Sequence, residues 1–77
     1  MDKINPNGNT VSSMDEIGKL VKEKRKEDGL TQTELAELSQ VGTRFLSELE
    51  NGKPTLRFDK VIQVLQNLGL QLNVIAR

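Results

Sequence analysis

The stretch from Thr31 to Gly52, TQTELAELSQVGTRFLSELENG, leaves room for two short helices and almost no chain between them. Its opening TQTE, Thr31 to Glu34, is a capping box. The threonine hydroxyl can accept from the amide three residues on, while the glutamate carboxylate returns to the threonine amide. Leu35, Ala36 and Leu38 are expected to turn inward from the helix this starts. Ser39 to Gly42 make a turn containing glycine, and a further helix runs from about Thr43 to Glu50 with Leu46 and Leu49 inward. Asn51-Gly52 ends it, and Lys53-Pro54 keeps the chain from re-entering a helix at once. Two short helices across so tight a turn make a helix-turn-helix pattern.

The flanks complete a small helical domain. Residues 1–12 are rich in Asn, Gly, Ser and Thr without any period, and read as a flexible tail. A second capping box, SMDE at Ser13 to Glu16, opens a first helix reaching about Glu27, with Ile17, Leu20 and Val21 as its buried stripe and Gly29 beyond its end. After the central pair, Thr55 is expected to cap a fourth helix. Phe58, Val61, Ile62, Leu65 and Leu68 form its inner side, Val64 is a surplus apolar residue, and Gly69 stops it. From Leu70 to Ala76 the pattern changes to alternation, with Leu70, Leu72 and Val74 against Gln71 and Asn73, which reads as a strand. No other segment reads as its mate, so the same strand of a second subunit, antiparallel across a two-fold axis, is the expected partner. The expected fold is therefore all-α: four to five helices in residues 13–69, with a short dimerising β-strand in 70–77.

Seventy-seven residues make one domain, and a domain this short buries only about 60% of the surface its unfolded chain exposes. The chain has no cysteine for a disulfide or zinc site, so dimerisation is the expected source of added stability. No apolar run approaches the roughly 20 residues of a membrane span, and the start MDKINPNGNT lacks the regions of a signal peptide. A cytoplasmic protein without a membrane association is expected. Eleven basic and eleven acidic residues cancel, so any affinity for nucleic acid must come from local charge. Histidine, tyrosine and tryptophan are all absent, which removes the commonest general base and the best stacking platforms. No enzyme, cofactor or metal is expected.

The helix from Thr43 carries the candidate function. With Leu46 and Leu49 inward, Thr43, Arg44 and Ser47 face out near its N-terminus, where a recognition helix enters the major groove. Arg44 can bond guanine O6 and N7 together, and the two hydroxyls can reach bases or phosphates; the competing reading is a solvated helix with a stray arginine. Gln32, in the first turn of its helix, can hold a phosphate beside free amides or serve only the cap. Lys53 is a candidate phosphate contact or a plain surface lysine, and Asn51 serves the turn first and a phosphate second. Glu48 and Glu50 oppose DNA binding unless Glu50 pairs with Arg25 across helices, and Glu48 either points away or accepts from a cytosine amine. The mixed run Lys22 to Lys26 reads as a solvated helix face.

The run GLTQTELAELSQVGTRFLSELENGKPTLRFDKVIQVLQNLGL resembles the Cro/repressor type of helix-turn-helix domain often called Xre, with L-T-Q at the second helix, V at the turn and E-N-G-K after the third. The continuation to LQLNV most resembles HipB-type antitoxins. That resemblance implies a dimeric repressor of a near-palindromic operator in double-stranded DNA that also binds a HipA-like serine/threonine kinase toxin. It implies that Gln32 holds phosphate, that Thr43, Arg44 and Ser47 face bases, and that residues 70–76 form the intersubunit sheet. The chain departs from the pattern at Gly42, where the family commonly has a serine or a basic residue. Docking of the kinase is expected away from Thr43 to Ser47, on the first or fourth helix or the tail, with Val64 and the chain start as exposed groups that gain a partner. Two other readings stand beside it: an autonomous repressor without a kinase, and a protein-binding module that has lost DNA.

Overall fold

The computed structural model describes residues 11–74. Four helices follow one another: α1 Met14–Glu27, α2 Gln32–Ser39, α3 Thr43–Glu50 and α4 Phe58–Asn67. Helix α3 packs on α1 and α2, and α4 packs on α2. The core where they meet is Val21, Leu35, Ala36, Leu46, Leu49, Val61, Val64, Leu65 and Leu68, each at most 5% exposed. Met14, Ile17, Leu30, Val41, Phe45, Leu56 and Leu70 close around it, partly buried. No helix among the described residues is long and apolar enough to cross a membrane.

The starts of the helices test the capping reasoning separately. At α2 both halves of the box form: Thr31 Oγ1 accepts from the Glu34 amide at 3.1 Å and Glu34 Oε1 accepts from the Thr31 amide at 2.8 Å. At α1 only half does. Ser13 Oγ accepts from the Glu16 amide, but the Glu16 carboxylate takes the amide and hydroxyl of Ser12 instead of the Ser13 amide. Helix α4 begins later than expected, with Arg57 rather than Thr55 at its N-cap and no side-chain bond there.

That late start goes with a rotated inner face. Val64, expected as surplus, is fully buried, whereas Phe58, expected inside, is 58% exposed. Val61, Val64, Leu65 and Leu68 form the buried i, i+3, i+4, i+7 stripe. Phe58 is the first residue of the helix. Val64 consequently offers no surface to a partner. On α2, Leu38 is 57% exposed, and the inner slot one residue further is filled by Ser39, whose carbonyl accepts from Gln63 Nε2 at 2.9 Å.

Helix α1 meets α3 through a glycine. A Cβ on Gly18 would lie 2.4 Å from the Leu49 carbonyl oxygen and 2.8 Å from that of Glu50, so the backbones approach as only glycine allows. Gly52, at φ 82°, is needed twice over: it takes the left-handed turn that ends α3, and a side chain there would collide with Asp15.

Beyond α4 the chain differs from expectation. Leu70 closes the helix end, its amide donating to the Leu65 carbonyl at 2.9 Å. Residues 70–74 carry no regular secondary structure, and there is no strand among the described residues. The physical reason is the absent ladder: among the described residues nothing pairs with this segment, and its expected mate belongs to a second subunit. Leu72 is 38% exposed and Val74 fully exposed. The remainder of the expected strand, 75–77, and residues 1–10 of the expected tail lie outside the described residues.

Candidate nucleic-acid interface

The turn between α2 and α3 sets how the outer face of α3 is presented. Gln40 takes the left-handed conformation, φ 58° and ψ 42°, and the Val41 amide reaches back to the Ala36 carbonyl at 3.0 Å. The expected turn glycine, Gly42, is not the residue that bends the chain. It is the N-cap of α3 in extended conformation, φ −74° and ψ 152°, with no side chain to cap. Nothing in the sequence pattern marks Gln40 for its role.

From Gly42 onward α3 divides cleanly. Leu46 and Leu49 are fully buried. Thr43 and Arg44 are exposed and Ser47 and Glu48 half-buried, so the candidate base-reading residues share the solvent side of the helix at its N-terminal end. The Arg44 side chain is 91% exposed, with Nε 3.5 Å from Glu48 Oε2. Lys53 Nζ reaches the same oxygen at 3.3 Å. Asn51 is exposed at the C-cap of α3.

Beneath that surface lies a buried polar cluster. Glu50 accepts from Arg25 Nε at 2.6 Å and Nη2 at 3.1 Å, and Arg25 Nη1 donates to the Leu30 carbonyl at 2.9 Å. This is the expected tie between the first and third helices. The third donor was not anticipated: Gln32 Nε2 donates to Glu50 Oε1 at 3.0 Å. Gln32 thus sits at the start of α2, half-buried, with its amide anchored from behind. A side-chain amide has no periodic signature, and only the proximity of two helix ends in space brings it to the carboxylate. Burial alone raises the Glu50 carboxyl, but the hydrogen bonds from Arg25 and Gln32 and the charges of Arg25 and Lys22 bring it below the ordinary carboxylate value. The same bond to Glu50 raises the Arg25 guanidinium despite its burial.

The arrangement suits one kind of chemistry. Thr43, Arg44 and Ser47 present two hydroxyls and a fork of donors, Lys53 adds a point charge at the far end of α3, and the first turn of α2 presents Gln32 beside helix-start amides. Glu50, the acid nearest the core, is neutralised internally and does not face solvent as free charge.

Comparison with known proteins agrees with this geometry. A helix-turn-helix family model matches residues 21–75. The uncharacterized HTH-type transcriptional regulator y4mF of Sinorhizobium fredii (strain NBRC 101917 / NGR234) is 51% identical over 61 residues, covering 79% of this chain and 80% of that protein. The ImmF control region 10 kDa protein of Bacillus phage phi105 is 40% identical over 58 residues, covering 73% of this chain and 64% of its own length. Among solved structures, HipB in its complex with the O4 20-mer superposes with TM-score 0.80 at 23% identity, over 90% of this chain and 97% of that one. The same likeness recurs in the HipA-HipB-O2-O3 complex; at this identity it speaks for the fold. With the family model spanning most of the chain, the protein belongs to the Xre-type helix-turn-helix family of DNA-binding transcriptional regulators and is not an enzyme.

Proposed function

We propose that the chain is a dimeric, sequence-specific repressor of a near-palindromic operator, and the HipB-like antitoxin partner of a HipA-like kinase. The observation that carries the DNA reading is the solvent side of α3, where Thr43, Arg44 and Ser47 stand together at the helix start while Leu46 and Leu49 anchor its other side. In this reading those three residues face bases, and Gln32, Asn51 and Lys53 hold phosphates. Dimerisation through Leu70, Leu72 and Val74 is supported by the exposure of Leu72 and Val74 in the single chain. The antitoxin role is supported by the fold likeness to HipB, which runs over 90% of this chain. Val64 is withdrawn as a kinase contact because it is buried; docking is assigned to the outer face of α1 or α4 or to the N-terminal segment, away from α3.

A second reading, an autonomous repressor without a kinase, is favoured by the likeness to the phage control-region protein. Purifying the protein from its host and identifying what accompanies it separates the two. A HipA-like kinase that leaves operator affinity intact is the expected result. Recovery of the dimer alone, still bound to its operator, returns the function to the autonomous repressor.

A further inference from the structure

Glu48 lies between the two cations assigned to DNA. Its Oε2 is 3.3 Å from Lys53 Nζ and 3.5 Å from Arg44 Nε, and its side chain remains 29% exposed on the side of α3 that carries Arg44. A carboxylate one helical turn along from a base-reading arginine travels into the groove with it. Exposed ion pairs of this kind are weak, so Glu48 does not lock the cations away. What it does is set conditions on the DNA they meet.

We propose that Glu48 is a specificity-determining residue that acts mainly by rejecting wrong DNA. The inference rests on the reading of α3 as the recognition helix. On a duplex of arbitrary sequence, the carboxylate is carried among phosphates, and wherever an acceptor oxygen of guanine or thymine stands at its position it meets no donor. Arg44 and Lys53 must then leave it to reach the DNA, exposing the repulsion they had offset. Where a cytosine stands opposite, its N4 amine donates to Glu48 while Arg44 bonds a guanine nearby, and the carboxylate is satisfied. Specificity arises from the difference between those two situations. The zero net charge of the chain fits the same design, because a protein without bulk attraction for DNA depends on local contacts to choose its site.

The test uses the full chain, an operator duplex obtained by selection from random sequence, and a scrambled duplex of equal length and composition. Affinities are measured at about 50 and about 200 mM salt for the unaltered protein, Glu48→Gln and Glu48→Asp, with thermal unfolding to establish that each variant is folded. Glu48→Gln is expected to bind scrambled DNA about five- to tenfold more tightly while operator affinity stays level or falls, compressing the ratio by about tenfold. Its salt slope on scrambled DNA should steepen, because one negative charge is removed from among the phosphates. Glu48→Asp keeps the charge on a shorter arm, so it should retain the rejection of scrambled DNA and lose operator affinity. Equal gains for Glu48→Gln on both duplexes would indicate a bulk charge effect and overturn the proposal, as would no change on either. If the unaltered chain binds no duplex at all, the recognition-helix reading fails and the role of Glu48 falls with it.

Discussion

Burying Glu50 takes a carboxylate from water, and three nitrogens replace the water: Nε and Nη2 of Arg25 and Nε2 of Gln32. Side-chain exposures of 3% for Glu50 and 10% for Arg25 place the pair in the interior, where removing one partner costs about 3–5 kcal/mol because the other is left charged and uncompensated. A domain of this size has little more than that in total. Glu50→Ala is therefore expected to be largely unfolded at 25 °C, and a joint apolar replacement of Arg25 and Glu50 to recover much of the loss, both read from urea unfolding. The acid limb follows from the direction of the shift. Since the folded carboxyl titrates below the unfolded value of about 4.3, its stabilisation is complete above that value and disappears as pH falls through the folded pKa. Urea midpoints measured across the acid range should therefore fall less steeply in Glu50→Gln than in the unaltered protein. An equal slope in both would place the acid sensitivity elsewhere. Arg25 and Glu50 were legible as a pair because opposite charges at two helix ends invite one another. Gln32 was not, since no spacing in the sequence brings an amide to that carboxylate.

At the scale of elements, capping was the most legible signal and facing the least. Thr31 and Glu34 form the whole box that their spacing implies, because both halves are local and need no tertiary help. The inner face of α4 depends on what it packs against. Of the expected inner side, Val61, Leu65 and Leu68 are buried, while Val64 takes the place expected of Phe58 by a rotation that only α2 and the core can fix. The turn shows the same limit: glycine in the sequence drew attention to Gly42, while the left-handed residue is Gln40. Gly42 lies in open space, with nothing within 4 Å of a Cβ placed there, and its extended backbone suits a capping serine. Gly42→Ser should accordingly stabilise the domain by a few tenths of a kcal/mol, since a serine cap exceeds glycine by about that much. Chemical denaturation would register this as a higher midpoint at unchanged slope. A lower midpoint would mean that the α3 start is held in a way the serine disturbs.

For the whole molecule, the alternation of Leu70, Leu72 and Val74 was legible as pattern but not as structure, because a strand is defined by a neighbour. Leu70 turns back onto its own core, while Leu72 and Val74 remain exposed on a chain with a small core. Removing residues 72–77 should leave the four helices folded and shift the protein to a monomer in sedimentation, since Leu70 and the helix end it closes are retained. A truncated chain that stayed dimeric would move the interface to another face. In the proposed dimer, two copies of α3 would meet half-sites about 34 Å apart or a multiple of it. Whether α3 reads sequence through its exposed N-terminal side is decided by the operator and scrambled-duplex affinities of Arg44→Ala and Lys53→Ala. Arg44→Ala should lose about 1–3 kcal/mol on the operator, relax preference at one base pair and change little on scrambled DNA. Lys53→Ala should weaken both duplexes alike and reduce the salt slope by about one phosphate. Uniform losses from both substitutions, or none from either, would contradict the account.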